Sequence, residues 1–125
     1  MHLVHPTDIV VYRRMYSSFE EAMRTNVRKG GIGAPEHFGI KQDGTIQMGA
    51  DLARFDYVKR PSEYGVVSCA LLLGPTEEQW SSLDVLIDLI KRIYPSIERV
   101  VAGTDTIIKD VEERYGSSTK TGAMP

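Results

Sequence analysis

Two residues have side chains typical of metal sites or nucleophiles and lie in segments whose neighbouring residues indicate their environment. His37 lies near the start of the stretch "PEHFGIKQDGTIQMG", and Cys69 lies within "VVSCALLLG". A lone histidine on a strand is usually packed or hydrogen-bonded, so we predict a structural role for His37. The apolar setting of Cys69 predicts a buried, unreactive thiol.

Cations and aromatic residues alternate in a segment without clean periodicity, "ADLARFDYVKRPSEY", which covers residues 50–64. Loops of this length are often functional. Five of its side chains could hold an anionic or aromatic ligand through charge and stacking. These are Arg54, Phe55, Tyr57, Lys59 and Arg60. The alternative, a solvated surface loop, is equally consistent with the sequence.

The length, charge and cysteine content of the chain restrict the classes of protein to which it can belong. The chain has 125 residues, which suits one domain. A net charge of -2 and a pI near 5.9 give no electrostatic case for general nucleic-acid binding. A single cysteine excludes an internal disulfide and fits a reducing compartment. No signal peptide is visible, and the longest apolar run, Ala70 to Leu73, is too short to cross a bilayer. We therefore expect a cytoplasmic protein without a membrane partner.

The elements of the first half follow from apolar patterning and turn residues. A short strand is predicted at residues 2–5, ended by Pro6. The segment from Ile9 to Met15 is either a second strand or the start of the next helix. Serines 17 and 18 precede glutamates 20 and 21 at capping-box spacing, which predicts a helix over residues 19–29. The stretch over residues 35–49 reads as a hairpin, because Asp43-Gly44 favours the backbone angles of tight turns.

The second half contains clearer signals. "GVVSCALLLG" is apolar throughout, which is typical of a central strand buried on both faces. Thr76 and Gln79 form a capping box, and the helix that follows runs to about Tyr94 before Pro95. Its apolar stripe is predicted to be core. The stripe comprises Trp80, Leu83, Leu86, Ile87, Ile90, Ile93 and Tyr94.

A short strand, "IERVVAG", and a last short helix, "TIIKDVEERY", complete the predicted order. The polar sequence "GSSTKTGAMP" predicts a disordered tail. We therefore expect one domain over residues 1–114, a tail over residues 115–125, and an α/β (α+β) fold with a mixed central β-sheet flanked by helices.

Residues 1 to 111 resemble the zinc-dependent N-acetylmuramoyl-L-alanine amidases, a family that includes phage lysozyme-type amidases and peptidoglycan recognition proteins. The strongest match is "HFGIKQDGTIQMG", which is similar to the family's hairpin. "EYGVVSCALLLG" looks like its central strand, and "TEEQWSSLDVLIDLIKRIYPSIERVVAGTD" like its long helix and the strand leading to the site. "LVHPTD" resembles the first strand with the first zinc ligand.

The resemblance implies a zinc held by one histidine after the first strand, another after the last strand, and a cysteine or aspartate further along. His5 matches the first ligand, but the second falls on Gly103, which has no side chain. The third falls near Asp110 and Glu113. Asp105 could supply a shifted ligand, and a set of His5, Asp105 and Glu113 would suit a harder ion. The alternative for Asp105, with Thr104, is a helix cap.

Two further positions match catalytic residues of phage-type members. Lys109 lies where those members have a lysine that assists catalysis, and Glu36 replaces their catalytic tyrosine. A glutamate can act as a base, but the alternative for both residues is an exposed charge.

From the resemblance we expect an amidase-like fold without a metal cofactor. The expected function is that of a catalytically inactive, phage or prophage accessory protein. It would bind a peptidoglycan fragment, a small anionic ligand or a host protein in the former active-site groove, beside His5, Glu36 and the loop over residues 50–64. The alternative is an active amidase, in which zinc held by His5 with Asp110 or Glu113 activates water and Lys109 or Glu36 assists.

Overall fold

The computed structural model describes residues 6–21, 24, 36–49 and 66–116. Within them, five strands form one sheet in the order β3-β2-β4-β1-β5. Neighbouring strands pair in parallel, except for the β2–β3 hairpin, which is antiparallel. The strands are β1 (Asp8–Arg14), β2 (Phe38–Ile40), β3 (Ile46–Met48), β4 (Val66–Leu72) and β5 (Arg99–Ala102). The predicted mixed sheet is confirmed.

Strand β1 resolves the ambiguity in the first part of the chain, because the segment that could have begun a helix is a strand. Its β-branched residues 9–11 are fully buried between β4 and β5. Asp8 lies opposite Arg99 in the parallel register, and their side chains form an ion pair of 3.0 Å at the start of both strands. The strand predicted at residues 2–5 lies outside the described residues.

The hairpin forms at the predicted place. Gly44 has a φ of 91°, a conformation that glycine adopts without strain, and the Lys41 amide donates to the Thr45 carbonyl at 2.8 Å. Asp43 accepts a further bond from the Thr45 amide at 2.9 Å. Of the helix predicted over residues 19–29, positions 19–21 and 24 are helical and the rest lie outside the described residues.

Strand β4 lies at the centre of the sheet, and all seven of its residues are buried, as predicted. Its side chains alternate between the two faces. Val67, Cys69 and Leu71 belong to the main core, whereas Ala70 and Leu72 pack with Phe19 on the opposite face.

Helix α1 (Glu77–Ile93) covers the main core face. Both bonds of its predicted capping box are present between Thr76 and Gln79. The apolar stripe is buried as far as Ile90, but the prediction that Ile93 is core is wrong, because that side chain is 53% exposed. Ile93 is the last residue of the helix, so no further turn follows to cover it.

After β5 the chain forms a 3₁₀ turn (Asp105–Ile107) and helix α2 (Ile108–Tyr115). Arg114 stacks over the Trp80 ring at 4.5 Å, and the Tyr115 hydroxyl donates to Asp84 at 2.7 Å. Tyr115 is the last residue of this docked helix, which confirms the predicted helix "TIIKDVEERY". Residues 117–125 lie outside the described residues. Neither of the helices α1 and α2, nor any other helix in the described part of the chain, is long and apolar enough to span a membrane.

Candidate functional site

Four parallel strands, β1, β2, β4 and β5, end at the same edge of the sheet. In open α/β sheets, ligands bind outside the carboxyl ends of the strands. The side chains near this edge include Tyr12, Arg13 and Arg14 at the end of β1 and Thr104 after β5. Gly103 lies between β5 and Thr104.

Arg13 holds the ends of three strands together. Its backbone amide donates to the Thr104 hydroxyl at 3.0 Å, and its Nε donates to the Gly74 carbonyl at 2.6 Å. Thr104 occupies the cap position of the 3₁₀ turn but makes no side-chain cap bond. The predicted helix-cap role of Thr104 is therefore wrong, because its hydroxyl accepts from β1 instead.

Glu36 is a buried carboxylate, not an exposed charge. It is 1% exposed and accepts two bonds from Arg14, from Nε at 2.8 Å and from Nη2 at 2.6 Å, both on Oε2. The Tyr16 hydroxyl donates to the other oxygen, Oε1, at 2.9 Å. Hydrogen bonds from a cation and a phenol compensate the burial of this charge.

Two tyrosines complete the surroundings of the ion pair. Burial, followed by the negative charge of Glu36, raises the pKa of Tyr16 far above its usual value. Tyr16 is therefore a phenol that donates at all ordinary pH values. On the other side, the Arg14 guanidinium stacks over the Tyr12 ring at 4.5 Å.

The Tyr12 ring also fills the space beside Gly103. A Cβ atom built on Gly103 would lie 2.5 Å from Cε1 of Tyr12 and 2.8 Å from a methyl group of Val10. Real Cβ atoms do not approach other atoms so closely, so any side chain at position 103 would force Tyr12 to move.

The described residues do not fit the zinc that the resemblance implies. Gly103 offers no donor atom, and among residues 6–21, 24, 36–49 and 66–116 no three histidine, cysteine or acidic side chains are grouped to hold a metal. Asp105 starts the 3₁₀ turn, and Asp110 and Glu113 lie on α2. Since His5 is outside the described residues, the absence of a metal stays a prediction.

Lys109, the other candidate catalytic residue, is exposed in the first turn of α2. Within the described part of the chain no ion pair or hydrogen bond of its side chain is found. The structure does not bring Lys109 and Glu36 together through any contact.

His37 is fully buried and structural, as predicted. The Ser68 backbone amide donates to Nδ1 of His37 at 3.0 Å, and the Ser68 hydroxyl lies 3.0 Å from the same nitrogen. Because an amide can only donate, Nδ1 is an acceptor and is not available to a metal.

His5 and the five loop residues Arg54, Phe55, Tyr57, Lys59 and Arg60 all lie outside the described residues.

Conversely, sequence reasoning missed three members of the observed cluster: Tyr12, Arg14 and Tyr16. The signal for them is the sequence "YRRMY" directly after a buried apolar run, where charged and aromatic side chains reach the end of a strand.

Similar folds occur among solved structures. The ectodomain complex of the peptidoglycan recognition proteins LCa and LCx with tracheal cytotoxin matches with a TM-score of 0.63 and 16% identity, covering 88% of this chain and 82% of that chain. The endolysin N-acetylmuramoyl-L-alanine amidase LysCS from Clostridium intestinale URNW matches with a TM-score of 0.62 and 17% identity, covering 87% and 74%. The amidase LysC from the same organism gives a TM-score of 0.59 at 17% identity, covering 87% and 76%.

No protein-family model matches the sequence, and no curated protein matches it at a significant level. The structural likenesses confirm that the chain has the fold of N-acetylmuramoyl-L-alanine amidases and peptidoglycan recognition proteins. At 16–17% identity these likenesses establish the fold alone, and the activity depends on the residues of the site.

Proposed function

We propose that this protein binds a peptidoglycan fragment at the carboxyl edge of its sheet and does not hydrolyse it. The observation that carries the proposal is the contact between Tyr12 and Gly103. At the position where the resemblance requires a histidine, the chain has no donor atom, and a tyrosine ring takes up the space that such a side chain would need.

Glu36 supports the same conclusion, because a general base must be able to reach substrate and accept its proton. Both oxygens of Glu36 already accept hydrogen bonds, and the carboxylate is buried. Arg14 would have to move away before Glu36 could act on a ligand, and that movement would leave a charge buried without its partner.

The likeness in fold supports the choice of ligand. One similar structure is a complex of peptidoglycan recognition proteins with tracheal cytotoxin, and two others are N-acetylmuramoyl-L-alanine amidases. A small anionic ligand and a host protein are the alternative ligands for the same edge, and the experiment below distinguishes them from peptidoglycan. A cytoplasmic, phage or prophage accessory role is part of the proposal and is tested by the genes that flank its own.

The experiment combines binding, hydrolysis and metal content. The purified protein is sedimented with peptidoglycan sacculi, the release of new L-alanine amino groups is measured, and zinc is determined by mass spectrometry. We expect the protein to sediment with the sacculi without releasing amino groups and with far less than one zinc per chain.

A His5→Ala variant tests the histidine that the alternative requires, and Lys91→Ala, a substitution of an exposed residue on α1 with no assigned role, is the matched control. One zinc per chain, together with hydrolysis that disappears in His5→Ala, would establish the active amidase instead. If the protein stays in the supernatant, peptidoglycan is not the ligand, and a pull-down from host extract then tests for a protein partner.

A further inference from the structure

Helix α1 exposes a row of apolar side chains on the side that faces away from the core. Val85, Leu89 and Ile93 are 68%, 51% and 53% exposed. Residues four positions apart are neighbours on a helix surface, so these three side chains form a row along the second half of α1. Single exposed apolar residues are ordinary, but a contiguous apolar row is typical of an interaction surface.

Strand β3 extends this apolar surface beyond the helix. In the antiparallel register, Ile46 and Met48 lie opposite core residues of β2, so their side chains share the face of the sheet that α1 covers. Both side chains are exposed, Met48 to 69%. The Ser82 hydroxyl donates to the Gly44 carbonyl at 2.6 Å, which places the hairpin turn beside α1. Leu89 follows Ser82 by about two helical turns and therefore lies on that same side of the helix.

The charges beside the apolar row are opposite at its middle and at its end. Asp88 precedes Leu89, and Arg92 lies in the last turn of α1. Their side chains are 75% and 80% exposed, and the distance of 3.9 Å between Asp88 Oδ2 and Arg92 Nη2 makes only a weak, solvated ion pair. Both charges can therefore be reached by a partner that presents an acid to Arg92 and a base to Asp88.

We propose that this surface, the apolar row of α1 with the two exposed residues of β3, pairs with the same surface of a second copy of this chain, with the two α1 helices antiparallel. A two-fold axis beside Leu89 places Val85 of one copy opposite Ile93 of the other. The same symmetry brings Asp88 of each copy towards Arg92 of the other, because reversing the direction of a helix exchanges the ends of the row. Antiparallel helix dipoles add a smaller attraction.

Charge complementarity favours a second copy over other occupants of this surface. A lipid membrane presents anionic headgroups, which the acidic side chains of α1 repel. These are Glu77, Glu78, Asp84 and Asp88. A parallel pair of helices would set each charge of the row against its own equivalent, whereas the antiparallel pair sets opposite charges together. The inference goes beyond the proposed function and does not depend on it, because α1 covers one face of the sheet and the peptidoglycan site lies at its carboxyl edge.

The test is sedimentation velocity over a range of protein concentrations of about 2–200 µM. The contact spans few helical turns and is small for a protein interface, so we expect a dissociation constant of about 10–100 µM. The mass should rise with concentration from 14.0 kDa towards twice that value. Leu89→Glu puts a charge from each copy beside the axis and should leave a monomer throughout. Met15→Glu is the matched control, because Met15 is also apolar and 69% exposed but follows β1, outside the proposed surface.

Exchange of single charges tests the antiparallel direction. Asp88→Arg gives a copy with two bases beside the row, and Arg92→Asp gives a copy with two acids. Each variant alone should associate about tenfold more weakly than the unmodified protein, because like charges then face each other. An equimolar mixture should recover the original affinity within about threefold, since every base then meets an acid. Circular dichroism verifies that the helices are intact in each variant.

Sedimentation as a monomer over the whole concentration range would overturn the proposal. Association that survives Leu89→Glu would overturn it as well, because the dimer would then use another surface. A mixture of the two charge variants that associates no better than either alone would exclude the antiparallel pair. None of these results decides the proposed function, which depends on sedimentation with intact sacculi and on the hydrolysis assay.

Discussion

Gln79 joins the start of α1 to the ends of two strands, and its removal should destabilise the edge where the candidate site lies. The side chain is fully buried. Its Nε2 donates to the carbonyls of Ile40 at 2.7 Å and Leu72 at 2.9 Å, and its Oε1 accepts from the Thr76 amide at 2.7 Å. The fit is tight, because a Cβ atom on Gly74 would overlap Oε1 of Gln79.

The expected cost of Gln79→Ala follows from these contacts. Three hydrogen bonds are lost, and three backbone groups are left without partners in a buried place, at roughly 1 kcal/mol or more each. We expect the free energy of unfolding to fall by about 3 kcal/mol, with a further contribution from the cavity. Gln79→Met fills most of the space but restores no bond, so it should recover only the cavity contribution.

The assay is urea unfolding followed by circular dichroism, with free energies from linear extrapolation. Gln42→Ala is the matched control, because Gln42 also donates to a strand-end carbonyl, that of Leu73 at 3.0 Å, but in an exposed position. Its cost should stay below about 0.5 kcal/mol. A loss of less than 1 kcal/mol in Gln79→Ala, or full recovery in Gln79→Met, would show that these hydrogen bonds do not stabilise the fold.

Two further predictions concern packing and pH. Gly103→Ala should lower the free energy of unfolding by about 1–3 kcal/mol because its Cβ overlaps the Tyr12 ring, and Tyr12→Ala should reduce that penalty in a double-mutant cycle measured by urea unfolding. Burial raises the pKa of the Cys69 thiol, so the unfolded chain loses a proton above about pH 8.5 that the folded chain keeps, and stability falls with rising pH. The loss should reach about 3 kcal/mol by pH 10.5, because one pH unit corresponds to about 1.4 kcal/mol. Cys69→Ala should be less stable at pH 7 but show a flatter alkaline decline, and an unchanged slope would contradict this assignment.

The features that the sequence predicted correctly are those determined by residues close to one another along the chain. The capping box at Thr76 and Gln79, the turn at Asp43-Gly44 and the apolar run of β4 each depend on residues within a few positions of one another, and all three were confirmed. The resemblance to amidases rested on the same local elements and gave the fold correctly.

The site depends on contacts between distant parts of the chain, which no local pattern reveals. Glu36 was predicted to be either a catalytic base or an exposed charge, because no neighbour in sequence indicates a partner for it. Its partner, Arg14, lies 22 residues earlier. The contact between Tyr12 and Gly103 likewise joins two strands that are neighbours only in the folded sheet. Arg14 was missed for the same reason, since an arginine after an apolar run is ordinarily a solvated charge.

The position of β1 between β4 and β5 affects how the chain can be divided. The strand near the start of the described chain is completed only by strands that begin at Val66 and Arg99. A fragment that stops before Arg99 would expose the backbone amides and carbonyls along one side of β1. An unpaired strand edge beside the apolar residues 9–11 is prone to pair with other chains. Fragments cut between β4 and β5 should therefore aggregate, and folding must wait for the most distant pairing in the sheet.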